Sequence, residues 1–297
     1  MSADTRITRA FNNAKRISFN KDSKFVLFSD CHRGDNSFAD DFSHNRGVFH
    51  DALKHYYIEN FTYIELGDGD ELWENSSFSA IFKAHKSIYM MLKKFHKKNR
   101  LHFIWGNHDM DYKNPKNIIK NLHYYFDSVS KTKKELMINA SFSESILLEN
   151  DTNGKSIFLL HGHQADWFNY VFWKLSRFLV RILWKPLQII GISDPTSPAQ
   201  NFKELIKVEQ HIENWIKKNK NQMVVIGHTH RPRFPSKNDI PFFNDGSCVH
   251  PNSITGLEIE NNEITLIKWH EIAQENGTMQ IKKTILEGPE SLTHYMN

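Results

Sequence analysis

The chain has 297 residues, a formal net charge of +4 and an isoelectric point near 8.8, with 39% apolar and 24% charged residues. That length can bury one large core, and the composition is that of a globular protein rather than a disordered, fibrous or membrane-spanning chain. The mild basicity suits an anionic substrate or membrane surface but lacks the dense basic stripe of a nucleic-acid interface, so no nucleic acid is expected.

From the N-terminus, Met1 to Ala10 holds no apolar stretch of the secretory kind, so no signal segment is expected. The first strand signal is Lys24 to Phe28, closed by Ser29-Asp30-Cys31-His32. The same pattern then recurs. Phe61 to Leu66 runs into Gly67-Asp68-Gly69-Asp70-Glu71, and Leu101 to Trp105 into Gly106-Asn107-His108-Asp109. Ser156 to Leu160 runs into His161-Gly162-His163, and Gln222 to Ile226 into Gly227-His228-Thr229-His230. Short β-branched and aromatic runs closed by Gly or Asp read as buried strands. Helical stretches separate them, which predicts parallel neighbours in one sheet with all the motifs at its carboxyl edge. Cys31 lies between two candidate donors and is expected to face the core. With only Cys248 beside it, no disulfide framework exists, which suits a reducing cytoplasm.

Carboxylate, imidazole and amide oxygen together suit a divalent cation such as Mn, Fe, Zn or Mg, and the donors outnumber those one tetrahedral ion takes. Hydrolytic sites often share a carboxylate between two ions about 3.5–4 Å apart. Asp68, flanked by Gly67 and Gly69, is the natural bridge. Arg33 and Arg231 directly follow metal motifs, so each reads either as a phosphate clamp or as a surface salt bridge. His163 is expected at the rim of the site and Asp70 in a turn or supporting place. His85 and the other histidines between motifs read as incidental.

Beyond His161, the segment Trp167 to Trp184 is intensely apolar and aromatic. Lys174, Arg177, Arg181 and Lys185 recur in it at spacings of three and four, along one helical face opposite Phe172, Leu175, Leu179 and Leu183. Four charges argue against a spanning helix and leave an amphipathic one. It reads either as a cap packed on the catalytic domain or as an interfacial helix or acyl-chain groove for an anionic lipid. Farther on, Phe242 to Ser247, Ile254 to Ile259 and Ile264 to Trp269 read as closing strands, the last two a hairpin turned by Asn261-Asn262.

Over roughly residues 24–270 this ordered motif set resembles the calcineurin-like metallophosphoesterase family. The resemblance implies an α/β fold, a two-sheet αββα sandwich in a single domain over 1–297, with a helical cap inserted at about 165–220. It implies that Asp30, His32, Asp68 and His230 hold one metal, and Asp68, Asn107, His161 and His228 a second. Two divalent ions, with Mn the first candidate, would hold a hydroxide for in-line attack on phosphorus. Asn107 would also contact substrate, and His108 would protonate the leaving group with Glu71 orienting it.

The Gly67-Asp68-x-x-Glu71-x-Trp73 spacing, the basic-apolar insertion and Gly227 to Pro232 also resemble UDP-2,3-diacylglucosamine pyrophosphohydrolases. That implies a UDP-linked or other anionic lipid pyrophosphate, and a cytoplasmic protein with peripheral contact to the inner face of the membrane. The chain departs from that pattern in His108 in place of Arg, His163 in place of Asp and a longer C-terminal part. The first departure restores a general acid and points back toward broader phosphomonoesters or phosphodiesters. A protein Ser/Thr phosphatase is the further enzymatic alternative. The remote one is a non-catalytic scaffold of the same fold, against which the intact ligand positions argue.

Overall fold

A computed structural model describes residues 1–167, 170, 177, 180, 202–274 and 277–296. Strand β2 (Phe25–Phe28) is buried at every position. Successive side chains leave a strand on opposite faces, so such a run needs cover on both. Phe25 and Leu27 enter a core shared with Ile157 and Leu159 of β9 (Ser156–Leu160) and Met223 and Val225 of β10 (Met223–Ile226). Val26 and Phe28 point the other way, against Phe49 and Tyr56 of α2 (Arg46–Ile58) and Leu92 and Phe95 of α4 (Lys86–Lys97). Phe158, Leu160, Val224 and Ile226 turn outward beneath α1 (Ala3–Asn12) and α6 (Phe202–Lys218), where Ile7, Ile212 and Trp215 meet them. The layers therefore run helix, sheet, sheet, helix.

The seven-stranded sheet has the order β14-β13-β12-β2-β3-β4-β7. Its members are β3 (Thr62–Leu66), β4 (Leu101–Ile104), β7 (Phe142–Ser143), β12 (Ser253–Glu260), β13 (Glu263–Ala273) and β14 (Met279–Ser291), besides β2. The five-stranded sheet joins β1 (Lys15–Phe19), β8 (Ser145–Asn150), β9, β10 and β11 (Phe242–Asn244) in that order. A separate hairpin pairs β5 (Tyr124–Asp127) with β6 (Thr132–Glu135).

The expectation of one sheet from local pattern is thus corrected to two, and the two-sheet sandwich implied by the resemblance is the fold of the chain. β2, β3 and β4 are parallel neighbours, and so are β9 and β10. Between the groups, however, β7 ends one residue before β8 begins, and β8 lies antiparallel to β9 in the other sheet. Strand periodicity records burial and carries no information about which sheet a strand joins. The β12–β13 hairpin forms at Asn261 and Asn262, both left-handed (φ 56° and 60°), as a two-residue primed turn requires. Cys31 is buried in the core under α2, facing away from the donors beside it.

Helix α6 packs through Val208, Ile212 and Trp215 on the five-stranded sheet, so the range 165–220 expected for a cap includes a layer of the sandwich itself. Of the amphipathic segment, only Trp167, Tyr170, Arg177 and Val180 are described. The stripe of Lys174, Arg181 and Lys185 and its apolar opposite lie outside the described residues. Among the described residues no helix is long and apolar enough to cross a membrane.

Candidate metal centre

Immediately past their strands, the motif residues enter left-handed backbone: Asp30 (φ 50°), His32 (48°), Asp68 (51°), His228 (66°) and His230 (56°). For residues with a β-carbon this costs roughly 1–3 kcal/mol each and persists only where the surroundings enforce it. Here backbone hydrogen bonds do so. Asp30 N donates to Gly67 O (3.1 Å), His32 N to Asp68 O (2.9 Å) and Arg33 N to Gly69 O (3.0 Å), which zips the first two motifs together beyond β2 and β3. The Asp109 carboxylate ties in the third, accepting from Gly106 N (2.6 Å) and Gly69 N (2.9 Å). Gly227 N donates to His161 O (3.0 Å) and joins the last two. Gly67 must be glycine: its φ is 96°, and a β-carbon there would lie 2.7 Å from the His161 ring.

These turns bring the donors together at the seam between the sheets. His161 Nε2 lies 3.1 Å from Asp68 Oδ2 and 4.0 Å from Asp30 Oδ1. His230 Nε2 is 3.1 Å from Asp30 Oδ1, and His32 Nε2 is 3.6 Å from Asp30 and 3.9 Å from Asp68. Two groupings, Asp30-His32-His230 and Asp68-His161-His228, each place their donor atoms within 4.8 Å of one another. Asp30 Oδ1, His32 Nε2, Asn107 Oδ1, His161 Nε2 and His228 Nε2 are buried and, among the described residues, make no hydrogen bond. Buried polar atoms are nearly always paired, so this convergence of unused lone pairs fits a divalent cation. The outer atoms are already oriented. His161 Nδ1 faces Leu66 O at 2.9 Å, and Asp30 Oδ2 accepts from His228 N (2.8 Å) and Ser29 Oγ (2.5 Å).

Charge is balanced across the seam. Burial acts to raise the Asp68 carboxyl, but His161 and His108 outweigh it and hold it well below the carboxylate range. Burial acts to lower His161, and Asp68 and Asp30 instead lift it to about 9.

A third grouping joins His32, Glu71 and His108. Glu71 Oε2 is 2.8 Å from His32 Nδ1 and 2.7 Å from His108 Nδ1, so one carboxylate steadies both imidazoles. Against the burial that would raise it, His108 and His32 hold Glu71 at about 2. The His108 ring stacks on Trp73 (centroids 4.2 Å apart, 22°), and its backbone N donates to Asp68 Oδ1 (2.8 Å).

Residues 24–262, more than half of the chain, match the family model of the calcineurin-like phosphoesterase superfamily domain. The chain belongs to this superfamily. Similar solved structures include a predicted phosphoesterase from Streptococcus pneumoniae TIGR4 (14% identical, TM-score 0.37, covering 88% of this chain and 98% of that one). Others are Vacuolar Protein Sorting 29 from Cryptosporidium parvum (15%, TM-score 0.40, 90% and 98%) and zinc-complexed Vps29 from Entamoeba histolytica (14%, TM-score 0.36, 89% and 99%). No curated protein matches the chain.

Within this calcineurin-like frame several expectations change. Arg33 is not at the substrate's disposal: its guanidinium is buried, paired with Glu65 (2.6 and 2.8 Å) and Asp70 (2.9 Å). Asp70 also accepts from Tyr89 (2.5 Å) and Tyr112 (2.7 Å), which makes the pair a buried strut behind Asp68. An arginine next to a metal motif signals charge, but its long side chain took the inward path that burial of Glu65 demanded. Arg231 is exposed beside His230. His163 is fully buried rather than at the rim; burial, with His161 and His228 nearby, pushes its pKa well below the usual imidazole range. His85 is no bystander either. It is buried with Nε2 2.8 Å from Asp40 Oδ2, fixing the loop after Arg33.

Two acids escaped the sequence reading. Asp166 Oδ2 lies 3.6 Å from His228 Nε2, brought there by the short 3₁₀ turn His163–Ala165, which no periodicity announces. Asp245 is fully buried, with Oδ1 2.7 Å from Ser29 Oγ, and is raised well above the carboxylate range by burial. Its signal was present, since it too closes an apolar strand before a glycine.

Proposed function

We propose that the chain is a dinuclear, divalent-metal-dependent hydrolase of phosphoester or phosphoanhydride bonds. Superfamily membership supports metal-dependent phosphoester hydrolysis in general. The observation that carries the finer reading is the pair of donor groupings meeting at one seam, with His108 beside them on Glu71. Asp30, His32, Asp68 and His230 would hold one ion, and Asp68, Asn107, His161 and His228 the other, with manganese the first candidate. Divalent ions held there supply Lewis acidity toward phosphoryl oxygens and activate water near neutral pH.

The chain's own residues do the rest. His108, with Nδ1 turned to an ionised Glu71, presents Nε2 to the leaving oxygen and can protonate it. Trp73 stacking limits rotation of that ring. The Asn107 amide supports the non-bridging oxygens, and Arg231 meets the substrate's charge at the mouth. The buried donors favour a slim phosphoryl group over a folded phosphoprotein.

A lipid-linked pyrophosphate is the narrower form of this reading. It is favoured by the basic and apolar composition of the segment that follows His161 in the sequence. The test is turnover by the Mn-loaded protein of an aryl phosphate, an aryl phosphodiester and a UDP-linked lipid, each with and without anionic vesicles. Metal-dependent turnover lost to a chelator and restored by Mn is expected. No turnover of any substrate at full metal content would defeat the hydrolase reading, and indifference to vesicles would defeat the lipid form.

A further inference from the structure

The turn that follows His161 carries two groups outside the proposed ligand set, His163 and Asp166. It is a single 3₁₀ turn, His163–Ala165, entered through Gly162 in left-handed backbone (φ 114°) and closed by Asp166 N donating to His163 O at 3.0 Å. Gly162 N also donates to Gln164 Oε1 at 3.1 Å, which folds the turn back on its strand end. Helix α1, which precedes the residues matched to the superfamily, braces it from outside. Arg6 is buried there, its Nε donates to Gln164 O at 2.6 Å, and its guanidinium lies 5.1 Å from the centroid of the Tyr170 ring. A turn fixed from both sides presents its side chains in one place.

Asp166 is the better placed of the two groups. Its side chain is buried, and Oδ2 lies 3.6 Å from His228 Nε2. That is beyond a hydrogen bond, so it leaves the His228 lone pair unused. It equals the separation of His32 Nε2 from Asp30 Oδ1 (3.6 Å), two atoms of the first donor grouping. Donors bound to one ion at about 2.1 Å stand roughly 3–4.2 Å apart. Asp166 therefore faces the coordinating edge of His228, whereas a carboxylate that merely orients an imidazole sits at its other nitrogen.

The extra donor discriminates between ions. Asp68, Asn107, His161 and His228 already offer four protein donors, as many as a tetrahedral zinc ion takes. A further hard carboxylate is of use to an ion that accepts five or six ligands, such as manganese or magnesium. Directly at its strand ends the five-stranded sheet offers imidazoles alone, and Asp166, one turn farther on, brings a carboxylate to that side.

We propose that Asp166 is an additional ligand of the second ion, held in place by the turn that α1 braces, and that it raises the affinity of this site for manganese relative to zinc. The inference rests on the dinuclear reading above, to which it adds a donor and a preference.

Calorimetric titration of the full-length, chelator-treated protein with Mn²⁺ alone and with Zn²⁺ alone tests the assignment. The wild type should take up two Mn²⁺ per chain. In Asp166→Asn, its fold checked by circular dichroism, one of the two sites should lose at least about tenfold in Mn²⁺ affinity while Zn²⁺ affinity changes by less than about threefold. If the Asn variant does not fold, Asp166→Ser is read in the same way. Equal losses for both metals would make Asp166 a support for His228 rather than a ligand, and unchanged Mn²⁺ affinity would remove it from the centre; either result overturns the proposal. A selective Mn²⁺ loss in His163→Ala but not in Asp166→Asn would overturn it too, by moving the extra donor to the buried His163. Wild-type protein that binds fewer than two Mn²⁺ would sink the dinuclear reading itself, whereas two ions held equally well by wild type and variant would sink the Asp166 assignment alone.

Discussion

The two sheets bring different chemistry to their common seam. The seven-stranded sheet supplies Asp30, His32, Asp68, Asn107 and His108 from the ends of β2, β3 and β4, hence all the carboxylates of the proposed ligand set. The five-stranded sheet supplies only imidazoles, His161 after β9 and His228 and His230 after β10. On the first side the loops are zipped to one another by backbone hydrogen bonds, while the seam is crossed by His228 N to Asp30 Oδ2 at 2.8 Å, His161 Nδ1 to Leu66 O at 2.9 Å and Ser29 Oγ to Asp245 Oδ1 at 2.7 Å. Neither sheet holds a complete donor set. The centre therefore depends on how the sandwich closes as much as on any strand, and substitutions at the seam should separate its two halves.

Replacing Asp68, the carboxylate nearest both sets of imidazoles, should break the centre outright. Asp68→Asn is expected to lower metal content, read by elemental analysis, and to cut turnover by more than about a hundredfold, beyond what supporting residues contribute. Wild-type metal content and rate would remove Asp68 from the centre.

His108→Ala should separate chemistry from metal holding. Turnover of a substrate with a poor leaving group is expected to fall by about 10²–10⁴-fold with metal content kept. Loss of the ions, or an undiminished rate, would contradict the assigned role.

The two arginines sharpen the contrast between buried frame and open mouth. Arg33→Ala would strand Glu65 and Asp70 in the interior at a cost of about 3–5 kcal/mol, visible as a lower denaturation midpoint. Arg231→Ala should leave that midpoint in place and raise KM for an anionic substrate. The reverse pattern would exchange their roles.

The smallest effect distinguishes the sheets by pH. His161 is raised from 6.5 to about 9, so in metal-free protein its contribution to stability is complete below pH 6.5 and fades as pH rises through about 9. Metal uptake needs the unprotonated imidazole and should strengthen over the same interval. Glu71, lowered from 4.5 to about 2, stabilises above pH 4.5 and ceases to do so as pH falls through about 2. Melting curves with and without chelator from pH 6 to 9.5 should diverge steadily. Parallel curves would show that His161 does not exchange its proton for metal.

How much of this was legible depends on how local each cause is. β2, β3, β4, β9 and β10 were readable because a strand buried on both faces leaves an unbroken apolar run. The Asn261-Asn262 hairpin was readable because left-handed backbone is cheapest for asparagine and glycine. The donors at strand ends followed from residue type and spacing, and Glu71 beside His108 from the family resemblance. The sequence by itself thus determined the motif-bearing strands, the β12–β13 hairpin and the inventory of donors. Only the tertiary structure decided which strand joins which of the two sheets and that α6 packs as a layer of the sandwich. It also decided that Arg33 turns inward to Glu65 and Asp70, and that Asp166 and Asp245 approach the donors. Each of those outcomes hangs on which distant surface a segment packs against, and a long side chain or a short strand carries no local mark of its eventual partner.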